Sequence, residues 1–113
     1  MEQFKSLKEL ISQDAQVEKQ ILQNVIGIIE INLEICAIGR LREDYKIMLN
    51  RFGKIARVLE VARKLYPEYR PDNNTLSSLA SNYQVLNDLP TDSIDRRVLE
   101  ELSRSYSQSG VRF

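Results

Sequence analysis

The chain contains no histidine and no tryptophan, and Cys36 is its single cysteine. Without histidine there is no Ser-His-Asp triad, no Cys-His nucleophile pair and no His-ligated zinc site. One cysteine cannot form a disulfide within the chain. Glycine is also scarce, with four residues, and none sits in a phosphate-cradling loop. Gly53-Lys54 is followed by Ile55, and Met48 stands where such a loop needs its first glycine. Charge of one sign is missing overall: 16 Lys and Arg balance 16 Asp and Glu, so net charge supplies no bulk attraction to nucleic acid or membrane. These absences predict a protein that is not an enzyme and holds no metal or other cofactor.

What remains is an ordinary globular mixture, with 113 residues, 42% of them apolar and 28% charged. That length predicts one domain over residues 1–113, large enough to build a core without staples. No basic stretch followed by an apolar run opens the chain, so a cytoplasmic location is expected. The Asn73-Asn74-Thr75 glycosylation pattern then carries no weight. The most apolar window, residues 21–38, holds Glu30 and Glu34 near its centre, each costing about 2.5–3.5 kcal/mol in a bilayer. Gln23, Asn24 and Asn32 add to that cost, so the window reads as a buried soluble segment and no membrane partner is expected. Cys36 lies inside it among apolar neighbours, as a buried structural thiol.

Helical spacing dominates up to the first proline, Pro67. Phe4, Leu7, Leu10 and Ile11 form a short stripe, continued by Val17, Ile21, Leu22, Val25 and Ile29. Ser, Gln and Asp at positions 12–14 mark a candidate break. Residues 26–38 fit two patterns. Ile29, Ile31, Leu33 and Ile35 alternate with polar residues as in a strand, whereas Lys19, Gln23, Gly27, Glu30, Glu34 and Ala37 share one stripe if the segment is helical. Helix is favoured by its proline-free flanks, and such a helix is expected at the centre of a bundle. Gly39 is the expected point of chain reversal.

Residues 43–66 give the clearest helix, with Tyr45, Met48, Leu49, Phe52, Ile55, Ala56, Leu59, Ala62 and Tyr66 on one broad face. Pro67 ends it. A further helix is expected to be capped at Asn74 and to bury Leu76, Leu79, Ala80, Tyr83 and Leu86. The last, capped at Thr91 or Asp92, carries Ile94, Val98, Leu102 and Tyr106 and stops at Gly110. The predicted fold is all-α, a compact bundle of four or five helices.

Carboxylate chemistry finds little support. Glu30 and Glu34 lie one turn apart on a solvated stripe, adjacent Glu100 and Glu101 point apart, and Asp92 and Asp95 suit the first turn of a helix. The distribution of charge is more informative. Residues 1–39 carry a net of −3 and residues 71–113 a net of −2, whereas nine cations against four acids give residues 40–70 a net of +5. On a helix, Arg42, Lys46, Asn50, Gly53, Arg57, Glu60 and Lys64 fall on one line about 33 Å long, flanked by Arg51 and Lys54. A row of cations suits the repeated charges of a phosphate backbone, or an acidic protein surface. Gly53 stands out there: at about 1 kcal/mol against alanine, it suggests a flat spot where another segment approaches.

In length, helical character and the basic residues Arg42, Lys46, Arg57 and Lys64, with Arg51 and Lys54 beside them, the chain resembles the small subunits of CRISPR effector complexes. The resemblance is one of profile and aligns no motif. It implies a non-catalytic helical subunit of a larger nucleoprotein assembly, with other protein subunits as neighbours and the backbone of RNA or single-stranded DNA against the basic face. The alternative is a protein-protein adaptor or chaperone with no nucleic-acid contact, in which the apolar excess of residues 26–38 meets a partner helix.

Overall fold

The computed structural model describes the backbone of residues 7–113 and the side chains of residues 13–113. Four helices follow one another: α1 (Leu7–Leu41), α2 (Tyr45–Leu65), α3 (Asn73–Asn87) and α4 (Arg96–Gln108). Among the described residues there is no strand, and the fold is an all-α bundle. The stripe at Phe4, Leu7, Leu10 and Ile11 lies outside the residues whose side chains are described.

α1 runs for 35 residues without the break expected at 12–14. An aspartate inside a helix costs only a fraction of a kcal/mol, and strong helix formers flank this one: Gln13, Ala15, Gln16, Glu18 and Lys19. The chain also does not reverse at Gly39. The helix continues to Leu41, and the reversal falls at Glu43, whose φ of 56° places a non-glycine residue in the left-handed region. The Asp44 N–H donates to the Gly39 carbonyl at 2.7 Å, and the Asp44 carboxylate then caps α2 by accepting from the Ile47 N–H at 3.2 Å. Gly39 serves a different purpose. A Cβ there would stand 3.1 Å from both the Asp44 carbonyl oxygen and Met48 Cγ, so its absence lets the start of α2 close onto α1.

The core is organised around α2, not around residues 26–38. Met48, Phe52, Ile55, Ala56, Leu59 and Ala62 are all inaccessible or nearly so, and α2 packs against each of the other helices. α1 contributes Val25, Ile29 and Cys36 from one side only, α3 contributes Leu79 and Leu86, and Leu99 and Tyr106 come from α4. Residues 26–38 are helical as expected, but a helix apolar around most of its circumference needs neighbours all round. α1 packs mainly on α2, with a smaller contact to α3, and Ile28, Ile31 and Ile38 stay 44%, 58% and 50% exposed. By length and composition Gln13–Leu41 is also apolar enough to cross a membrane.

An aromatic cluster closes the far side of the core. Phe52 has its ring centroid 4.5 Å from that of Tyr106 and 5.7 Å from that of Phe113, which stacks on Tyr83 at 4.6 Å. The Tyr106 hydroxyl donates to the Phe52 carbonyl at 2.6 Å, giving a buried polar group its partner.

The caps of the last two helices shift from their predicted positions. Asp72, not Asn74, caps α3, its carboxylate accepting from the Thr75 N–H at 2.7 Å. These hydrogen bonds hold the Asp72 carboxyl below its ordinary range. Thr91 and Asp92 lie in a turn, and Asp95 caps α4 by accepting from the Arg97 N–H at 3.0 Å. In both cases the capping aspartate lies at the last extended residue before the helix. Gly110 ends α4 as predicted, with φ of 86° and the Arg63 guanidinium within van der Waals reach.

α1 outruns the bundle. The Tyr66 hydroxyl, at the end of α2, reaches the Glu18 carbonyl at 3.4 Å. Residues 13–20 are all exposed, and the longest dimension of the molecule is 69 Å against 25 and 22 Å for the others.

Candidate nucleic-acid interface

The outer side of α2 carries the basic residues. The 3.6-residue period turns Met48, Phe52, Ile55 and Leu59 into the core, so Lys46, Lys54, Arg57 and Lys64 face solvent. Arg42, in the connection before the helix, is exposed as well. Alongside this ridge runs an open groove of about 640 Å³ between α2 and α4. Lys46, Lys54 and Arg57 edge it from α2, Asp95 and Glu101 from α4, over an apolar floor that includes Leu49 and Leu102. Gly53 lies in this floor: a Cβ there would meet Leu102 at 3.4 Å. This is ordinary contact with a side chain, and no other backbone atom among the described residues approaches Gly53 closely.

Two of the six predicted contact residues differ from the rest. Arg51 lies five residues beyond Lys46, about 140° further around the helix. It is half-buried, is not among the groove residues, and its charge acts on the Cys36 thiol of α1. It does not belong to the basic ridge. Lys64 is on the ridge, but its ammonium lies 3.7 Å from Glu60 with both side chains more than half exposed, a pairing worth little in solution. Arg42, Lys46, Lys54 and Arg57 have no ion pair or side-chain hydrogen bond among the described residues.

The ridge is not purely polar. Ile47, Val61 and Leu65 are 42%, 54% and 55% exposed on α2. Glu60, Asp95 and Glu101 also bring acid into the groove, so positive potential is concentrated on the outer ridge. Sequence reading missed the facing carboxylates of α4, although Ile94, Val98, Glu101 and Ser105 repeat at helical spacing and mark one face.

Elsewhere two arginines tie segments of the chain together. Arg96 donates to the Asn87 carbonyl at 2.7 Å and to the Leu89 carbonyl, tying the start of α4 to the end of α3. Arg63 donates to the Tyr69 carbonyl at 3.0 Å and fixes the α2–α3 loop. Cys36 is inaccessible, its Sγ 3.8 Å from the Met48 carbonyl oxygen, and burial pushes its thiol up to about 11, with Arg51 opposing in part. Glu30 and Glu34 are exposed, and no group of three or more potential metal ligands occurs among the described residues.

No protein-family profile matches the chain, and the curated proteins and solved structures compared with it include no match.

Proposed function

We propose that this protein is a non-catalytic helical subunit of a nucleoprotein assembly, resting the outer ridge of α2 on the backbone of RNA or single-stranded DNA. The observation that carries this reading is the set of exposed cations without a partner among the described residues: Arg42, Lys46, Lys54 and Arg57. Lys46, Lys54 and Arg57 lie along one side of α2 and Arg42 just before it; the buried face of α2 holds their backbone in place, so only the side chains are ordered when the row meets phosphates. Four contacts on a single strand correspond to a log-log salt slope of about −3, at roughly 0.7 per contact. The ridge offers cations and aliphatic side chains but no row of aromatics, so binding is expected to vary little with base sequence.

The test is reversal of Arg42, Lys46, Lys54 and Arg57 to Glu within the assembly isolated from its native host. Loss of nucleic-acid association with unchanged helicity is the expected result, and unchanged association refutes the reading. The adaptor reading has its own support in the exposed apolar side of α1, and it predicts copurifying protein without nucleic acid.

A further inference from the structure

The uncovered side of α1 has a regular pattern. Val17, Ile21, Asn24, Ile28, Ile31, Ile35 and Ile38 follow one another at steps of 4, 3, 4, 3, 4 and 3. That 3.5-residue period is the seam of a coiled coil, with Ile21, Ile28 and Ile35 at one heptad position and Val17, Asn24, Ile31 and Ile38 at the other. The residues that α1 buries within its own bundle, Val25, Ile29 and Cys36, occupy a different side of the helix. Of the seam residues, Val17, Ile28, Ile31 and Ile38 are each 44–58% exposed. α1 is thus a helix with two apolar faces, one used and one open.

We propose that this open face pairs with α1 of a second copy of the same chain, in a parallel and in-register arrangement. Three observations favour this occupant. The first is area. The four most exposed seam residues present roughly 400 Å² of apolar surface, at the scale that marks an interaction site on a monomer. Two such faces with their flanking polar side chains bury on the order of 1,000 Å² or more, which reaches the size of a specific interface.

The second is charge. In a parallel pair the positions flanking the seam are Gln13, Gln20, Gly27 and Glu34 on one edge and Glu18, Val25, Asn32 and Gly39 on the other; the last three are buried within the chain's own bundle, so no like charges oppose across the seam. A lipid surface fits less well. Residues 13–41 carry Asp14, Glu18, Glu30 and Glu34 against Lys19 and Arg40, whereas helices that lie on anionic membranes are rich in Lys and Arg.

The third is Asn24, the one polar residue between Val17 and Ile38 on the seam. Only in-register parallel pairing sets it opposite its own copy, where each amide offers both a donor and an acceptor; antiparallel pairing sets it against isoleucine.

The experiment is sedimentation equilibrium of the full chain over a range of concentrations, with two variants. Ile28→Glu/Ile31→Glu alters side chains that are exposed within one copy, so helicity and thermal unfolding of the monomer stay unchanged while dimerisation weakens by about a hundredfold or more. Ile26→Glu, at an exposed position on the opposite side of α1, leaves the dimer intact. Mild oxidation of Asn24→Cys is expected to yield a disulfide-linked dimer through position 24, since Cys36 is buried. A monomer at all concentrations overturns the proposal, and sedimentation of that monomer with phosphatidylcholine vesicles assigns the face to lipid instead. A dimer that survives the double Glu substitution, or one that fails to cross-link at position 24, overturns the seam or its parallel register respectively.

Discussion

Replacing Phe52 with alanine tests whether α2 is the centre of the fold. Phe52 is fully inaccessible and three aromatic rings, those of Tyr83, Tyr106 and Phe113, lie within 6.4 Å of it, centroid to centroid. Truncating a buried phenylalanine costs about 3–5 kcal/mol, from lost transfer energy and the cavity left behind. The upper part of that range applies, because the surrounding rings come from α3, α4 and the chain after α4, and no single movement closes the hole. A loss of that size approaches the whole stability of many small domains and lowers the unfolding temperature by roughly 15–30 °C. Urea titration followed by far-UV circular dichroism measures it, with a lower midpoint and unchanged slope as the expected signature. Tyr106→Phe is the companion variant. It keeps the ring against Phe52 and removes only the hydroxyl that donates to the Phe52 carbonyl, so about 1 kcal/mol is the expected cost. A loss below about 1 kcal/mol for Phe52→Ala refutes the packing argument, because only a site open to solvent or able to collapse could absorb the change.

The Cys36 thiol is expected to resist disulfide reagents at neutral pH in the folded protein and to react only on unfolding, as timed mixing with a chromogenic disulfide will show. Its folded pKa of about 11 lies above its ordinary 9.0, so stability is full below pH 9 and falls as pH rises from about 9 toward 11. Tyr106, also pushed up by burial, extends that decline in the same direction. Arg96→Met is expected to cost about 1.5–3 kcal/mol in urea titrations, since two carbonyls lose a charged donor; a neutral result means that the α3–α4 connection holds without it.

The elements legible in the sequence were those whose signal is local. The period of Met48, Phe52, Ile55 and Leu59 defined α2 to within two residues, and Gly110 marked the end of α4 because few other residues adopt a positive φ. Caps were displaced by two to four residues because several candidates crowd each start. Asp72, Asn73 and Asn74 all have capping chemistry, and only backbone conformation selects among them: Asp72 has ψ of 169°, while the next two residues are already helical. The reversal after α1 was misplaced for a similar reason. Gly39 is the residue with conformational freedom, but the freedom was not needed there. What α2 requires at Gly39 is space, and the left-handed residue is Glu43.

For the candidate interface, helical periodicity identified which cations share a face, and Lys46, Arg57 and Lys64 lie where it put them. It could not show that α4 lays Asp95 and Glu101 along the same groove, because that pairing depends on the loop at residues 88–95 and on the tie from Arg96. Nor could it place Arg51, whose angle on the wheel falls between the exposed and buried arcs. The same limit explains α1. A sequence shows how much apolar surface a helix carries but not how many neighbours the rest of the chain can supply. This chain has three other helices, and α2 draws two of them to itself for most of their contacts. The exposed Ile28, Ile31 and Ile38 line one side with Val17 at the three- and four-residue steps of a seam, while Ile26 stands alone on the opposite side. A second helix of the same register is the simplest neighbour that covers the whole seam at once.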